Sequence, residues 1–210
     1  PKREVIVVSA PGKDENHKIK MTDFLYQTYD ALQAGNDALE AFDEVIERFN
    51  QIQVECGLDI SEDLLTFKKH LSKNTSIDEL VSIGEKMNAQ ILARYLNLAF
   101  IDAKDVIKLN DNGTVNTQAT FNLLRDACKS SGKCVIPGFY GSNVKGEIKI
   151  LGRDGSDITG ALVAAALNAE VYENWTDVSG VLMADPRIIA YANSIEKMTY
   201  SELRELTFMG

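Results

Sequence analysis

Between Pro137 and Asp157 the chain reads PGFYGSNVKGEIKILGRDGSD, and its last part, Leu151 to Asp157, has residue types that grip an anion. Glycine recurs at Gly138, Gly141, Gly146, Gly152 and Gly155, so backbone can approach a ligand where β-carbons would forbid it. The alanine-rich run ITGALVAAALNA follows, and its composition predicts a helix with Asp157 or Thr159 near its start. A glycine turn entering a helix gathers unpaired N–H groups at the positive end of the helix dipole, which suits a phosphate or carboxylate. Arg153 adds a charge-fixed fork for such an anion, or else forms a surface ion pair with its aspartate neighbours.

Other residues could complete such chemistry. Ser9 and Ala10 fall at the end of the β-branched run REVIVVSAPG, where a parallel strand delivers ligand contacts; Ser9 could equally bond its own turn. Thr22 is placed to cap a helix and could also offer its hydroxyl to a ligand. Glu85 lies one position off an apolar helical stripe of Leu80, Ile83 and Met87, so it points either along the core's edge into a cleft or into solvent. Thr176 and Asp177, after the run EVYENW, would put a hydroxyl and a carboxylate at a sheet edge for ribose hydroxyls or metal-bound phosphates, or would form an Asp turn. Arg187, in the turn Asp185-Pro186-Arg187, is free to reach an anion.

The elements that must position these residues follow from patterning. Strands are expected at Arg3 to Ala10, at Leu98 to Ala103 and Val106 to Leu109, at Cys134 to Pro137, and at EVYENW, with Gly146 to Leu151 as one arm of a hairpin over the site. Thr22 should cap a helix that Gly35 stops, and a second helix from Asp37 to about Cys56 has Ala38, Phe42, Val45, Ile46 and Phe49 on one face. Ser61 to Leu71 makes a third, so residues 37–73 form a helical insertion flanking an α/β core. Ser76 and Glu79 form a capping box for a helix that buries Leu80, Ile83, Met87, Ile91, Leu92 and Tyr95 and carries a mid-helix Gly84. Asn110 to Gly113 is a turn, Thr117 opens a helix that Gly132 stops, and Ser201 caps the last helix. Alternating strands and helices predict a three-layer α/β/α sandwich on an open, mainly parallel sheet.

Composition narrows the field. The chain has 210 residues, enough for one substantial domain. Its formal charge of −9 argues against a nucleic-acid partner, which calls for excess Lys and Arg. No apolar run approaches the ~20 residues that cross a bilayer, so no membrane is implied and a cytoplasmic location is expected. Cys56, Cys128 and Cys134 show no CxxC pair and read as reduced, packed thiols. His17 and His70 stand far apart without partners for a zinc site, and no metal ligands are assigned.

The pattern PGF-x-G with LGR-x-GSD, then WTDVSGV and ADPR, resembles the catalytic domains of the aspartate kinase family, in the amino-acid-kinase superfamily. The resemblance extends to VVSAPG, to Met21-Thr22-Asp23, to Ser82-Ile83-Gly84-Glu85 and to Tyr200-Ser201-Glu202-Leu203, and so spans nearly the whole chain. It implies transfer of the ATP γ-phosphoryl group to the β-carboxylate of L-aspartate, the first step toward lysine, threonine and methionine, with Mg²⁺ held largely by ATP oxygens. It also implies that Glu85 holds the substrate ammonium and Arg153 its carboxylate, with Thr22 and Ser156 orienting it. Asp157 would organise phosphate-neutralising lysines, while Ser9, Thr176, Asp177 and Arg187 would contact the nucleotide. A homo-oligomer is expected of the intact enzyme.

The chain departs from the family pattern in several places. The family's K-F-G-G-T-S loop and its later A-K-V-L-H-P segment each bring a phosphate-reaching lysine, and ACT-type regulatory domains follow them. None occurs between Pro1 and Gly210, so the sequence predicts little kinase activity for these residues alone. Asp154 replaces the usual Gly or Asn and adds a negative charge beside an anionic substrate, and Leu182 stands where a Tyr often stacks on adenine. Two other readings remain: another amino-acid kinase, acting on glutamate, acetylglutamate or carbamate, or a non-catalytic nucleotide-binding module. A dinucleotide dehydrogenase is disfavoured, because no G-x-G-x-x-G follows the first strand.

Overall fold

The structure, a computed structural model, describes residues 4–15, 17–35, 39–152, 154–176, 180–185 and 188–209. It divides into two compact units, Pro1–Tyr172 and Glu173–Gly210.

The first unit is built on a parallel sheet in which β1 (Val5–Val8) and β2 (Ala99–Phe100) flank β3 (Cys134–Pro137). β3 is fully buried, as its uninterrupted apolar sequence requires of a central parallel strand. Strand alternation sorts the side chains into two faces. Val5, Val7, Ala99, Cys134 and Ile136 pack with Leu124, Cys128, Val163 and Ala166, which lie on α6 (Thr117–Ser131) and α7 (Gly155–Ala166). Ile6, Val8, Phe100 and Val135 face Ala89 and Ala93 of α4 (Ile77–Leu96). Small residues at those two positions bring α4 close onto the sheet. Helix, sheet and helix thus form the expected three-layer sandwich around an open parallel sheet.

On its other side α4 packs against α1 (Met21–Ala34), α2 (Leu39–Glu55) and α3 (Ser61–His70) through Leu25, Phe42, Val45, Phe49, Ile60, Leu64, Leu80 and Met87. Ile46 packs at the edge of this cluster, and Ala38 lies outside the described residues. With neighbours on both sides, α4 buries every residue from Leu80 to Glu85. The Ser76 side chain accepts the Glu79 amide at 3.2 Å, as the capping box requires. The packed row ends at Ile91, however, and Tyr95, one turn further on, is 58% exposed rather than buried.

Several element boundaries differ from the sequence reading. Thr22 does not cap α1: the helix begins at Met21, whose burial draws the first turn into the core, and Lys20 is the cap residue without a side-chain bond. Ala103–Val106 is a helical turn, α5, and not strand, because the Asp102 carboxylate accepts the Lys104 amide and ends β2 at Phe100. Beyond it only single bridges form, Lys108 with Ser142 and Leu109 with Val115. β4 (Tyr140–Ser142) and β5 (Ile148–Ile150) make the expected antiparallel hairpin. Thr159 is not at the start of α7 but inside it, buried and bonded back to the Gly155 carbonyl at 2.9 Å.

EVYENW, which takes in the last residues of the first unit and the first of the second, is not a strand: these residues are exposed and without strand pairing. In the second unit α8 (Tyr200–Met209) is capped by Thr199 and not Ser201, since Thr199 lies three residues before Glu202 and the two exchange bonds in a reciprocal capping box. Leu182 bridges to Ser194.

All three cysteines are free, with the Cys128 and Cys134 sulfurs 3.8 Å apart. Among the described residues no helix is long and apolar enough to cross a membrane, and no group of three His, Cys, Asp or Glu is gathered that could hold a metal ion.

Candidate active site

At the carboxyl edge of the sheet β1 leads into Ser9 and Ala10, and β3 into Gly138 and Phe139. The Gly138 amide donates to the Val8 carbonyl at 2.8 Å, so the two strand ends leave the sheet together. α7 starts directly against them: a Cβ added to Gly138 would lie 2.6 Å from the Ser156 Oγ and 2.8 Å from its Cα. Glycine at 138 is therefore what lets the helix N-terminus close on the strand end. Phe139 (φ 76°) and Asp154 (φ 59°) flank this junction in left-handed backbone conformations that non-glycine residues adopt at some cost. Ser156 is half-buried and Asp157 is exposed in the first turn of α7, where helix amides and dipole favour an anion.

α4 approaches from the other side. A Cβ on Gly84 would sit 2.9 Å from the Ala10 Cβ and 3.5 Å from the Met21 Cγ, so this glycine lets the β1 loop and the start of α1 rest on the helix. Thr22, half-buried, follows Met21 directly. Glu85, the next residue along α4, is 4% exposed and so does not point into solvent. Its carboxylate receives the Ala10 amide, while Oε2 has no hydrogen-bond partner among the described residues. Burial pushes its pKa from 4.5 up to about 7, opposed by the amides of Ala10 and of Glu85 itself. A carboxylate oxygen left buried and unpaired costs free energy unless a ligand completes it.

Behind Glu85 lies a second, part-buried polar group. Asp102 accepts the Tyr140 hydroxyl at 2.8 Å and the Lys86 ammonium at 3.0 Å, besides the Lys104 amide at 3.1 Å. Tyr140 is fully buried, and its pKa is raised well above the usual 10 by burial first, then by Asp102, with Glu85 adding to the effect. The network ties the hairpin, α4 and the end of β2 together beneath the site. Sequence reasoning missed it, because its members meet only across large sequence separations. It also missed Asn88, whose Nδ2 donates to the Ser9 carbonyl at 2.7 Å; one helical turn after Glu85, it could have been found from spacing.

Ser9, Thr22, Glu85, Ser156 and Asp157 all stand on elements that meet at this edge of the sheet. Ser9 is exposed, its carbonyl engaged by Asn88. Thr176 is exposed and belongs to the second unit. Arg153, Asp177 and Arg187 lie outside the described residues.

Comparison with known proteins gives a consistent picture. The model of the amino acid kinase family matches residues 2–210. Aspartokinase 3 of Bacillus subtilis is 32% identical over 226 aligned positions, which take in 100% of this chain and 50% of that protein. The lysine-sensitive aspartokinase 3 of Escherichia coli is 34% identical over 63% of the chain and 32% of its own length. Among solved structures, the aspartate kinase of Clostridium acetobutylicum superposes with a TM-score of 0.91 at 42% identity, over 98% of this chain and 48% of that one. Escherichia coli aspartokinase III in complex with aspartate and ADP gives 0.74 at 27% identity, over 96% and 48%. The chain thus spans half or less of the length of these relatives. A three-layer fold with its polar residues gathered at the carboxyl edge of a parallel sheet, matched almost end to end by the family model, shows that the chain belongs to the amino acid kinase family.

Proposed function

We infer that these residues are catalytic-domain sequence of an aspartate kinase, which transfers the γ-phosphoryl group of ATP to the β-carboxylate of L-aspartate. Glu85 carries this reading. A dry carboxylate with one oxygen unpaired among the described residues, at the carboxyl edge of a parallel sheet, is built to receive a cation, and the free α-ammonium of an amino acid supplies one. Acetylglutamate and carbamate have no such group. The aspartokinase relatives, one of them bound to aspartate and ADP, support the same substrate pair.

In this reading Glu85 holds the substrate ammonium and Arg153 its carboxylate, while Thr22 and Ser156 help to orient it. The first turn of α7 faces the transferring phosphoryl group with its amides, and Asp157 organises the lysines that neutralise its charge. Ser9, Thr176, Asp177 and Arg187 contact the nucleotide. Phosphoryl transfer asks a protein mainly for such positioning and charge neutralisation. Mg²⁺, which seldom uses an all-protein cage, would arrive on the triphosphate oxygens, shielding the charge that builds up on transfer. The domain is a partial one with residues 37–73 as a helical insertion, and the intact enzyme is a cytoplasmic homo-oligomer serving lysine, threonine and methionine synthesis.

Titration calorimetry tests the assignment. L-Aspartate should give binding heat that Glu85→Gln abolishes, and acetylglutamate should give none. Heat with acetylglutamate but not aspartate would move the chain to another member of the family. Heat with MgATP alone would make it a nucleotide-binding module.

A further inference from the structure

Gly84, Glu85 and Asn88 lie within about 100° of one another around α4, with Asn88 between the other two. All three touch the same short segment of the β1 loop. Gly84 leaves room for it, as the 2.9 Å approach of an added Cβ to Ala10 shows. Asn88 Nδ2 donates to the Ser9 carbonyl at 2.7 Å. The Glu85 carboxylate accepts the Ala10 amide.

The Ser9 carbonyl and the Ala10 N–H belong to one peptide group. In a trans peptide they point in opposite directions from a rigid plane. Glu85 and Asn88, separated by about 4.5 Å along the helix axis, therefore hold the two ends of a single plane. Rotation of that plane would break both bonds and turn a carbonyl oxygen toward the carboxylate. Of the two grips, the one from Asn88 does not depend on the protonation state of Glu85.

We propose that Asn88 is a positioning residue: it locks the Ser9–Ala10 peptide with its N–H on Glu85, so that one carboxylate oxygen is held by the loop and the other, Oε2, stays presented to a cationic ligand. This rests on the reading of Glu85 as the ammonium-binding group. The titratable groups around Glu85 are Lys86 on its own helix, Tyr140 from β4, and Asp102 at the end of β2, which holds both of the others. None of them replaces the Ala10 amide, so losing that donor makes the charged carboxylate harder to sustain.

The test follows the Glu85 carboxyl by ¹³C NMR through a pH titration of the ligand-free protein, assigned by its disappearance in Glu85→Gln. Asn88→Asp keeps the shape but sets an acceptor against the Ser9 carbonyl, and Asn88→Ala removes the donor without adding charge. Both should raise the Glu85 midpoint by about one to two units, the scale of losing one hydrogen bond to a charged group. Asn88→Ala should also weaken L-aspartate binding at pH 8 on the order of tenfold. Should Asn88→Asp not fold, Asn88→Ala decides alone. An unmoved midpoint in a folded Asn88→Ala protein overturns the proposal. The midpoint is read without any ligand, so a wild-type chain that ignores aspartate would count against the proposed function and leave the positioning role standing.

Discussion

Two carboxylates on neighbouring elements, Glu85 buried and Asp102 part-buried, meet opposite fates. Asp102 is surrounded by donors: the Tyr140 hydroxyl, the Lys86 ammonium and the Lys104 amide all reach it. Glu85, on the helix that also carries Lys86, receives the Ala10 amide and keeps Oε2 unpaired among the described residues. The first is an architectural node, in which charge and hydrogen bonds are complete within the protein. The second is incomplete, and burial alone pushes its pKa up to about 7. The difference teaches where a ligand belongs: folding tolerates an unsatisfied buried group where binding will satisfy it.

Removing each carboxylate should therefore have opposite effects on stability. Asp102→Ala leaves the buried Tyr140 hydroxyl without its acceptor and the part-buried Lys86 ammonium without its counter-charge, and a loss of about 2 to 4 kcal/mol is expected in urea unfolding at pH 7.5. A loss below about 1 kcal/mol would erase the contrast.

Glu85→Gln should go the other way. Because the folded pKa is raised, the unfolded chain ionises near 4.5 while the folded protein keeps its proton to about 7, so the wild type loses stability as pH rises through that window. At about 1.4 kcal/mol per unit, the shift from 4.5 to about 7 makes the glutamine variant more stable by about 3 kcal/mol at pH 8, with little difference at pH 4. Paired unfolding curves at the two pH values check this. A variant less stable than wild type at pH 8 would mean that Glu85 is satisfied within the protein after all.

Tyr140→Phe gives the smallest effect and sharpens the distinction. It takes one donor from Asp102 but leaves Lys86 and the Lys104 amide in place, so a loss of about 1.5 kcal/mol is expected, well short of Asp102→Ala. Equal losses in the two variants would show that the hydroxyl, and not the ion pair, holds the node together.

Much of the site is legible in the residues alone. Glycine, arginine and aspartate in LGRDGSD point to a strand-to-helix anion site, and α7 does begin at Gly155 against the ends of β1 and β3. Gly84 in mid-helix signals a close approach, and Ala10 is what approaches. The mismatches are of two kinds. Caps expected at Thr22 and Ser201 lie two residues off, at Lys20 and Thr199, because Met21 is drawn into the core and Thr199 finds Glu202 as its bonding partner. Strands expected at Val106 to Leu109 and at EVYENW do not form, since strand propensity counts only where a partner strand lies alongside.

What the sequence determined by itself was the set of elements and the chemistry at their ends. Apolar runs, caps and glycines are local, so the order of strands and helices, the parallel sheet and the glycine-led start of α7 all follow from neighbours along the chain. Only the tertiary structure decided which of two acidic residues would be left wanting. Glu85 is buried and Asp102 part-buried, and no local pattern separates them. It is packing that brings Tyr140, from far along the chain, onto Asp102 and leaves Glu85 to backbone amides, that of Ala10 and its own. Pairing of buried charge is a long-range property, and here it is what distinguishes scaffold from site.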